Sequence, residues 1–241
     1  MARRYDSADS KRRITSACVR LFIEKGYRET KMTDILSAAD VSSGTFQNIF
    51  HTKDGVLEEL VHFMFSGQFG AAKDTLRLSE QLGEDLKNDP VLLYAVETSI
   101  QLTLAEVNEN LREVYVEAYT QPRIAEIIYR KTKDELYRIF GSYLPECSQS
   151  DFYELEIGTA GIMRGYMSRP CDMYFPLKRK LRRFLSLALS AYKVPDEKQA
   201  AIQEFIANAD MTAIANGVMQ ELFRALAMRF EFTLSDETLK K

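Results

Sequence analysis

Two histidines and three cysteines are all that this 241-residue chain offers of imidazole and thiol chemistry. Cys18, Cys147 and Cys171 form no close pair, which excludes both a disulfide framework and a zinc pattern and suits a reducing cytosol. His51 and His62 fall in no catalytic arrangement. There is no Gly-rich phosphate loop, Cys/His cluster or nucleophile elbow, so an enzyme reading has little to stand on, and neither a cofactor nor a metal is expected. Long apolar runs are missing too. The longest weakly charged stretch, Phe184 to Tyr192, is far shorter than the roughly 20 residues a membrane span needs. The segment Met1 to Arg13 is charged, and Arg20 and Glu24 interrupt the apolar residues after it, so no signal-peptide core is seen and a cytoplasmic protein without a membrane partner is expected.

Helix breakers are scarce as well: 6 prolines and 11 glycines punctuate a chain that is 46% apolar, enough to exclude disorder. What remains is dominated by stretches rich in Leu, Ala, Glu, Lys and Arg with a helical period. The predicted fold is all-α, with a small helix-turn-helix head over residues 1–52 and a larger helical bundle over 53–241. Charge divides along a similar line. Residues 1–53 hold ten Lys/Arg against six Asp/Glu, giving +4, and the remainder holds twenty-two against twenty-nine, giving −7. A basic head on an acidic body fits a nucleic-acid partner, although +4 is also within reach of an ordinary solvated surface.

Periodicity places a first helix over Ser7 to Lys25, with Ile14, Ala17, Cys18, Leu21 and Phe22 as its buried stripe and Gly26 as its terminator. Thr30 or Thr33 is expected to cap a short second helix that turns Met32, Ile35, Leu36 and Ala39 inward. A turn at Asp40 to Ser42 leads to a third helix near 43–49, and Thr52 caps a fourth carrying Val56, Leu57, Leu60, Val61 and Met64. Three helices with a short turn between the second and third form a compact helix-turn-helix. Further helices are expected near 89–106, 109–119, 122–143, 150–168, 177–193, 196–208 and 211–231, with Ser150-Asp151 among the start signals.

The segment Thr30 to Leu57, TKMTDILSAADVSSGTFQNIFHTKDGVL, preceded by CVRLFIEKGY at 18–27, resembles the DNA-binding domain of the TetR (tetracycline repressor) family. Matching elements include Leu-Phe-x-x-x-Gly-Tyr, a Gly-Thr-aromatic step and Phe-x-x-Lys in order over about the first 60 residues. The resemblance implies a repressor released from a palindromic operator by a small-molecule effector, acting as a homodimer on double-stranded DNA. It implies a DNA-facing set of Thr33, Ser42, Ser43, Gly44, Thr45, Gln47, Asn48 and Lys53. Physical reasons accompany most of these. Ser42 and Ser43 can cap the third helix near a phosphate. Gly44 keeps the surface low, and Thr45, Gln47 and Asn48 project opposite Phe46 and Ile49 toward base edges. Lys53 occupies the family's phosphate-gripping position, where a cation has little local structural reason, and Arg3, Arg4, Lys11, Arg12 and Arg13 are either a basic arm or a solvated tail. Departures are Asp40 for the turn glycine, Lys31 for a capping Ser/Thr, and Gln47 and Ile49 for tyrosines. Gln47 stands as base reader or phosphate binder.

The body carries many aromatics, which in a helical bundle mostly fill the core. The resemblance implies a pocket there, and the candidate lining is Tyr94, Glu97, Gln101, Tyr119, Tyr137, Met163, Arg164 and Tyr166. Gly158, Gly161 and Gly165 in one helix call for a close neighbour, within the bundle or across a dimer seam, or for ligand space. With the apolar surface of 177–193, they nominate the dimerisation pair. A helical adaptor whose head binds protein instead of DNA is the alternative from another functional class.

Overall fold

A computed structural model describes residues 7–66, 70, 72–74 and 88–234, so Arg3 and Arg4 lie outside the described residues. The head consists of α1 (Ser7–Lys25), α2 (Met32–Ala39) and α3 (Ser43–Phe50), followed by α4 (Lys53–Ser66). The body consists of α5 (Pro90–Val107), α6 (Glu109–Thr120), α7 (Pro122–Phe140), α8 (Gln149–Ser168), α9 (Leu177–Ala191), α10 (Asp196–Asn208) and α11 (Met211–Phe230). Among the described residues no helix is long and apolar enough to cross a membrane. The predicted all-α class and every predicted helix are found.

In α1 the buried side chains are Ile14, Ala17, Cys18 and Phe22, with Val19 and Ile23 beside them. Gly26 ends the helix at φ +89°, with its N–H on the Phe22 carbonyl at 3.1 Å. A Cβ there would also lie 2.8 Å from Glu113 Oε2, so glycine is required by backbone and by packing alike. The second helix starts differently from expectation. Thr30 is buried and spends its hydroxyl on the Gly26 carbonyl at 2.6 Å, while Lys31 is the N-cap and its N–H bonds to Asp34 at 3.2 Å. Met32, expected inside, is 37% exposed: it shares the face of Ile35 and Ala39 but is the first residue of the helix, at the end of that stripe. Asp40 adopts the left-handed backbone, φ 49°, that its position in the turn demands.

Between α3 and α4 the chain makes a tight reversal. His51 has φ 57° and ψ −49°, and Thr52 N–H reaches the Phe50 carbonyl at 2.6 Å, the geometry of a rare γ-turn. Gly55 lets α4 come close, since a Cβ there would sit 2.9 Å from the Phe50 carbonyl oxygen. Helix α4 then packs against α1 and α3 on one side and α6 and α7 on the other, which ties head to body.

The body is built around α5, which is buried almost all round and starts from Asp89 capping Val91 N–H ahead of a first-turn proline. Helices α6 to α11 surround it. Helix α8 begins slightly earlier than its sequence signal: Ser148 caps it and exchanges bonds with Asp151, so Ser150 is already helical. One buried cation is not visible in the sequence. Lys180 of α9 is 1% exposed and pairs with Glu106 at 2.8 Å and with the Arg169 carbonyl at 2.5 Å. Replacing Gly55 by Ala is expected to destabilise the head by about 1–3 kcal/mol through the clash with the Phe50 carbonyl, as read by chemical denaturation of the full chain.

Candidate functional site

Two places in the molecule gather functional side chains: the outer face of α3 and a cavity inside the body. On α3, Phe46 and Phe50 are buried and Ile49 is half-buried, which turns Ser43, Gly44, Gln47 and Asn48 to solvent. Ser42 caps the helix by accepting the Thr45 N–H at 3.1 Å, and its hydroxyl also meets the Thr45 hydroxyl at 2.9 Å. Thr33 on α2 is exposed, outside the buried Ile35–Ala39 side of that helix. Gly44 has open space above it: an added Cβ would meet only Ser42 Oγ, at an ordinary 3.8 Å. Nothing among the described residues therefore requires glycine at this position, in contrast to Gly26 and Gly55.

The cations divide differently from the sequence expectation. Lys53 is half-buried, its ammonium donating to the Tyr27 carbonyl at 2.7 Å and the Thr30 carbonyl at 3.3 Å while lying 4.2 Å from the Tyr27 ring centre. Contrary to expectation it has a local structural role, closing the α1–α2 turn. Arg13 bonds to the Ala39 and Asp40 carbonyls at 2.8 and 2.9 Å and so holds the C-terminus of α2. Lys11 pairs with Glu59, and Arg12 with Asp9 and Glu231. The described part of the basic arm is thus engaged with the protein itself.

Inside the body, Tyr94, Thr98 and Gln101 of α5, Tyr119 of α6, Thr132 of α7, Glu156, Thr159 and Met163 of α8 and Phe184 of α9 line a cavity of about 30 Å³. That is room for a water molecule and too little for a ring, so any larger guest must part the side chains. An aromatic floor supports it: Tyr192 stacks on Phe140 at 4.2 Å, with Tyr94 edge-on to both. Glu156 is buried, its two oxygens 2.9 Å from the Thr132 and Thr159 hydroxyls, and Thr159 in turn meets the Tyr192 hydroxyl at 2.9 Å. Burial raises the Glu156 carboxyl to about 7, with the two threonine hydrogen bonds pulling the other way.

The head and the cavity share a helix. Helix α6 lines the cavity with Tyr119 near its end, and near its start the Asn110 side chain donates to the Ile23 carbonyl at 2.8 Å. Its Glu113 carboxylate accepts the Arg28 N–H at 3.0 Å, so α6 holds both sides of the Gly26 turn.

Residues 14–60 match the model of the bacterial regulatory proteins of the tetR family. The matched stretch runs from Ile14 in α1 to Leu60 in α4, so the similarity to that family lies in the head and the start of α4. The chain is also similar in fold to a crystal structure of RolR in complex with the ligand resorcinol, at 18% identity and a TM-score of 0.58, over 83% of this chain and 93% of that one. No curated protein matches the sequence. The matched segment contains the whole α2–turn–α3 unit, so the exposed α3 face lies within the part of the chain that is similar to those regulatory proteins.

Of the pocket residues expected from sequence, the body brings Tyr94, Gln101, Tyr119 and Met163 to the cavity. Glu97 lies one bond behind them, accepting from the Gln101 amide at 2.8 Å. Tyr137 is 38% exposed and packs edge-on to Phe152. Arg164 faces solvent, and Tyr166 packs on Phe175 and on the lining residue Phe184 without reaching the cavity itself. Thr98, Thr132, Glu156, Thr159 and Phe184 join the lining without having been expected there. The signal that could have found them is the spacing of Glu156, Thr159 and Met163, which puts them on one face of α8 with Phe152.

Glu156 also fixes a pH response. Its carboxyl keeps a proton in the folded chain up to about pH 7, whereas the unfolded chain sheds it near 4.5. Folding stability is therefore expected to decline as pH rises from about 4.5 through 7, by roughly 3 kcal/mol at most. Denaturant melts of wild type and Glu156→Gln across this window check it: the variant should lack that part of the decline.

Proposed function

We propose that this chain is a ligand-responsive repressor of the TetR family that grips a palindromic operator as a homodimer and releases it when a small molecule occupies the body cavity. One observation carries the reading: α6 both lines the cavity and holds the end of α1 and the α1–α2 turn. A guest that displaces Tyr119 and with it α6 also shifts the helix on which the head is mounted, because α6 holds the end of α1. Such a guest acts only through its different affinities for the DNA-holding and DNA-releasing shapes. The shared fold with a chain crystallised with resorcinol supports a small-molecule site in the body.

On the DNA side, Gln47 and Asn48 are the base readers of this reading, Thr45 packs against the groove wall, and Ser42, Ser43, Thr33 and Lys53 contact the backbone. Lys53 would have to leave the Tyr27 and Thr30 carbonyls to do so, or serve by fixing the turn. Gly44 provides close approach.

For the dimer, Gly158, Gly161 and Gly165 are informative because a Cβ at any of them meets nothing within 4 Å. Among the described residues no helix of the same chain approaches them, and the cavity is on the opposite side of α8 with Glu156, Thr159 and Met163. This open space supports close approach by a second copy, with Ile157 and Leu187, 45% and 49% exposed, beside it.

Two measurements test this. Gly44→Ala should hold or raise the melting temperature, since alanine favours helix by up to about 1 kcal/mol, yet lower DNA affinity at least tenfold. Equal affinity in an anisotropy titration would remove α3 from the interface, and no binding even to nonspecific DNA at low salt would favour a protein-binding head. Light scattering should find a dimer at micromolar concentration that Gly161→Leu splits; a wild-type monomer that binds DNA normally would contradict the assembly.

A further inference from the structure

The cavity is acidic and, among the described residues, has no cation to answer it. Its lining contains no Lys, Arg or His, and the titratable groups that face Glu156 are phenols or acids on every side. They are Tyr94 on α5, Tyr119 on α6, Tyr129 on α7 and Tyr192 after α9, and behind them Glu97 on α5, which reaches the lining through Gln101 and acts on Tyr115 of α6. Arg164 acts on Tyr129 from the exposed side of α8 and does not line the cavity.

The protons can be counted. Each threonine hydroxyl has one hydrogen to give. Thr132 Oγ is 2.9 Å from both the Ile128 carbonyl and Glu156 Oε1. If Glu156 is the neutral acid, it donates to Thr132, which donates to Ile128, while Thr159 donates to the other carboxyl oxygen and accepts from Tyr192. Every group is then satisfied. Ionised Glu156 takes the Thr132 proton instead and leaves a negative charge in an aromatic cavity with no counter-charge. The empty cavity thus favours the neutral acid, and what it lacks for ionisation is a cation of the size of the space that opens.

We propose that the effector is a compact organic cation, an aromatic or alkyl amine whose ammonium pairs with the Glu156 carboxylate against the rings of Tyr94, Tyr119 and Phe184. The proposal rests on the reading of the cavity as the effector site. Rings supply cation–π attraction, and Met163 supplies the flexible wall that yields as the guest enters. The ammonium arrives protonated, and Glu156 gives its proton to solvent as the ion pair forms, so one proton leaves for each amine bound.

The test is calorimetry on the full chain with matched amine, alcohol and carboxylate triplets, phenethylamine, phenethyl alcohol and phenylacetate first, then the benzyl and hexyl sets. At least one amine should bind while its carboxylate does not. Its affinity should rise about tenfold per pH unit below 7 and level off above, with close to one proton released per site at pH 6 in buffers of different ionisation heat. Glu156→Gln should lose at least tenfold in amine affinity and all of its pH dependence, yet keep the alcohol. Alcohols or carboxylates that bind as tightly as amines, amine binding without proton release, or no binding by any amine would each overturn the cation. DNA affinity measured beside each bound compound separates the two claims. A neutral compound that binds and releases DNA overturns the cation and leaves the sensor reading standing, and an amine that binds with the predicted proton release but leaves DNA affinity unchanged does the reverse.

Discussion

The grip of α6 on the end of α1 is the constraint on which the other parts of the molecule depend. Helix α1 ends in carbonyls that need partners, and the chain then has to reverse within a few residues. Gly26 makes the reversal, but its missing side chain also admits Glu113 to the turn, where the carboxylate meets the Arg28 N–H. Asn110 takes the Ile23 carbonyl. Because these partners come from the body, the first helix of the head cannot be placed independently of α6. The turn is closed from its other side by Lys53, whose ammonium joins the Tyr27 and Thr30 carbonyls to the start of α4. Arg13 does similar work at the end of α2. The head is thereby a rigid piece whose mounting points are backbone carbonyls, and α3 inherits its aim from them.

The body shows the opposite economy. Its core is aromatic and densely packed, but across it runs a line of polar groups: Gln101 with Glu97, Thr132 with Glu156, Thr159 with Tyr192. Polar groups in such a place are stabilising only when each finds a partner. Here they do, at the expense of a carboxyl that stays protonated near neutrality. A core built for stability alone would fill these positions with aliphatic side chains. In the proposed reading a guest replaces this proton, with recognition on α8 and the mechanical response on α6.

Much of this is legible in the residues. Hydrophobic spacing locates each helix, and the ordered Leu-Phe-x-x-x-Gly-Tyr, Gly-Thr-aromatic and Phe-x-x-Lys elements mark the head; in its turns Gly26 and Asp40 answer a backbone requirement, a left-handed conformation. Side-chain roles that depend on distant partners are not legible. Lys53 reads as a free cation because its acceptors, the Tyr27 and Thr30 carbonyls, carry no side-chain signature. Met32 reads as buried because periodicity cannot tell a residue at the end of the stripe from one inside it. Glu156 is hidden for a related reason: a lone acid between apolar neighbours reads as surface, and only the meeting of α7 with α8 brings Thr132 to it. Tyr137 and Tyr166 are nominated by the aromatic load and Arg164 by its place beside an apolar face, and neither signal fixes which side of the helix looks into the cavity.

Coupling between body and head requires that filling the cavity be felt at the α1–α2 turn. Amide hydrogen exchange on the full chain measures this without any ligand, using Ala160→Phe to occupy the cavity that Ala160 lines. Faster exchange is predicted at residues 26–31 and along the start of α6, with α10 left as in wild type. Unchanged exchange at the turn, in a variant whose cavity is demonstrably filled, would contradict the coupling.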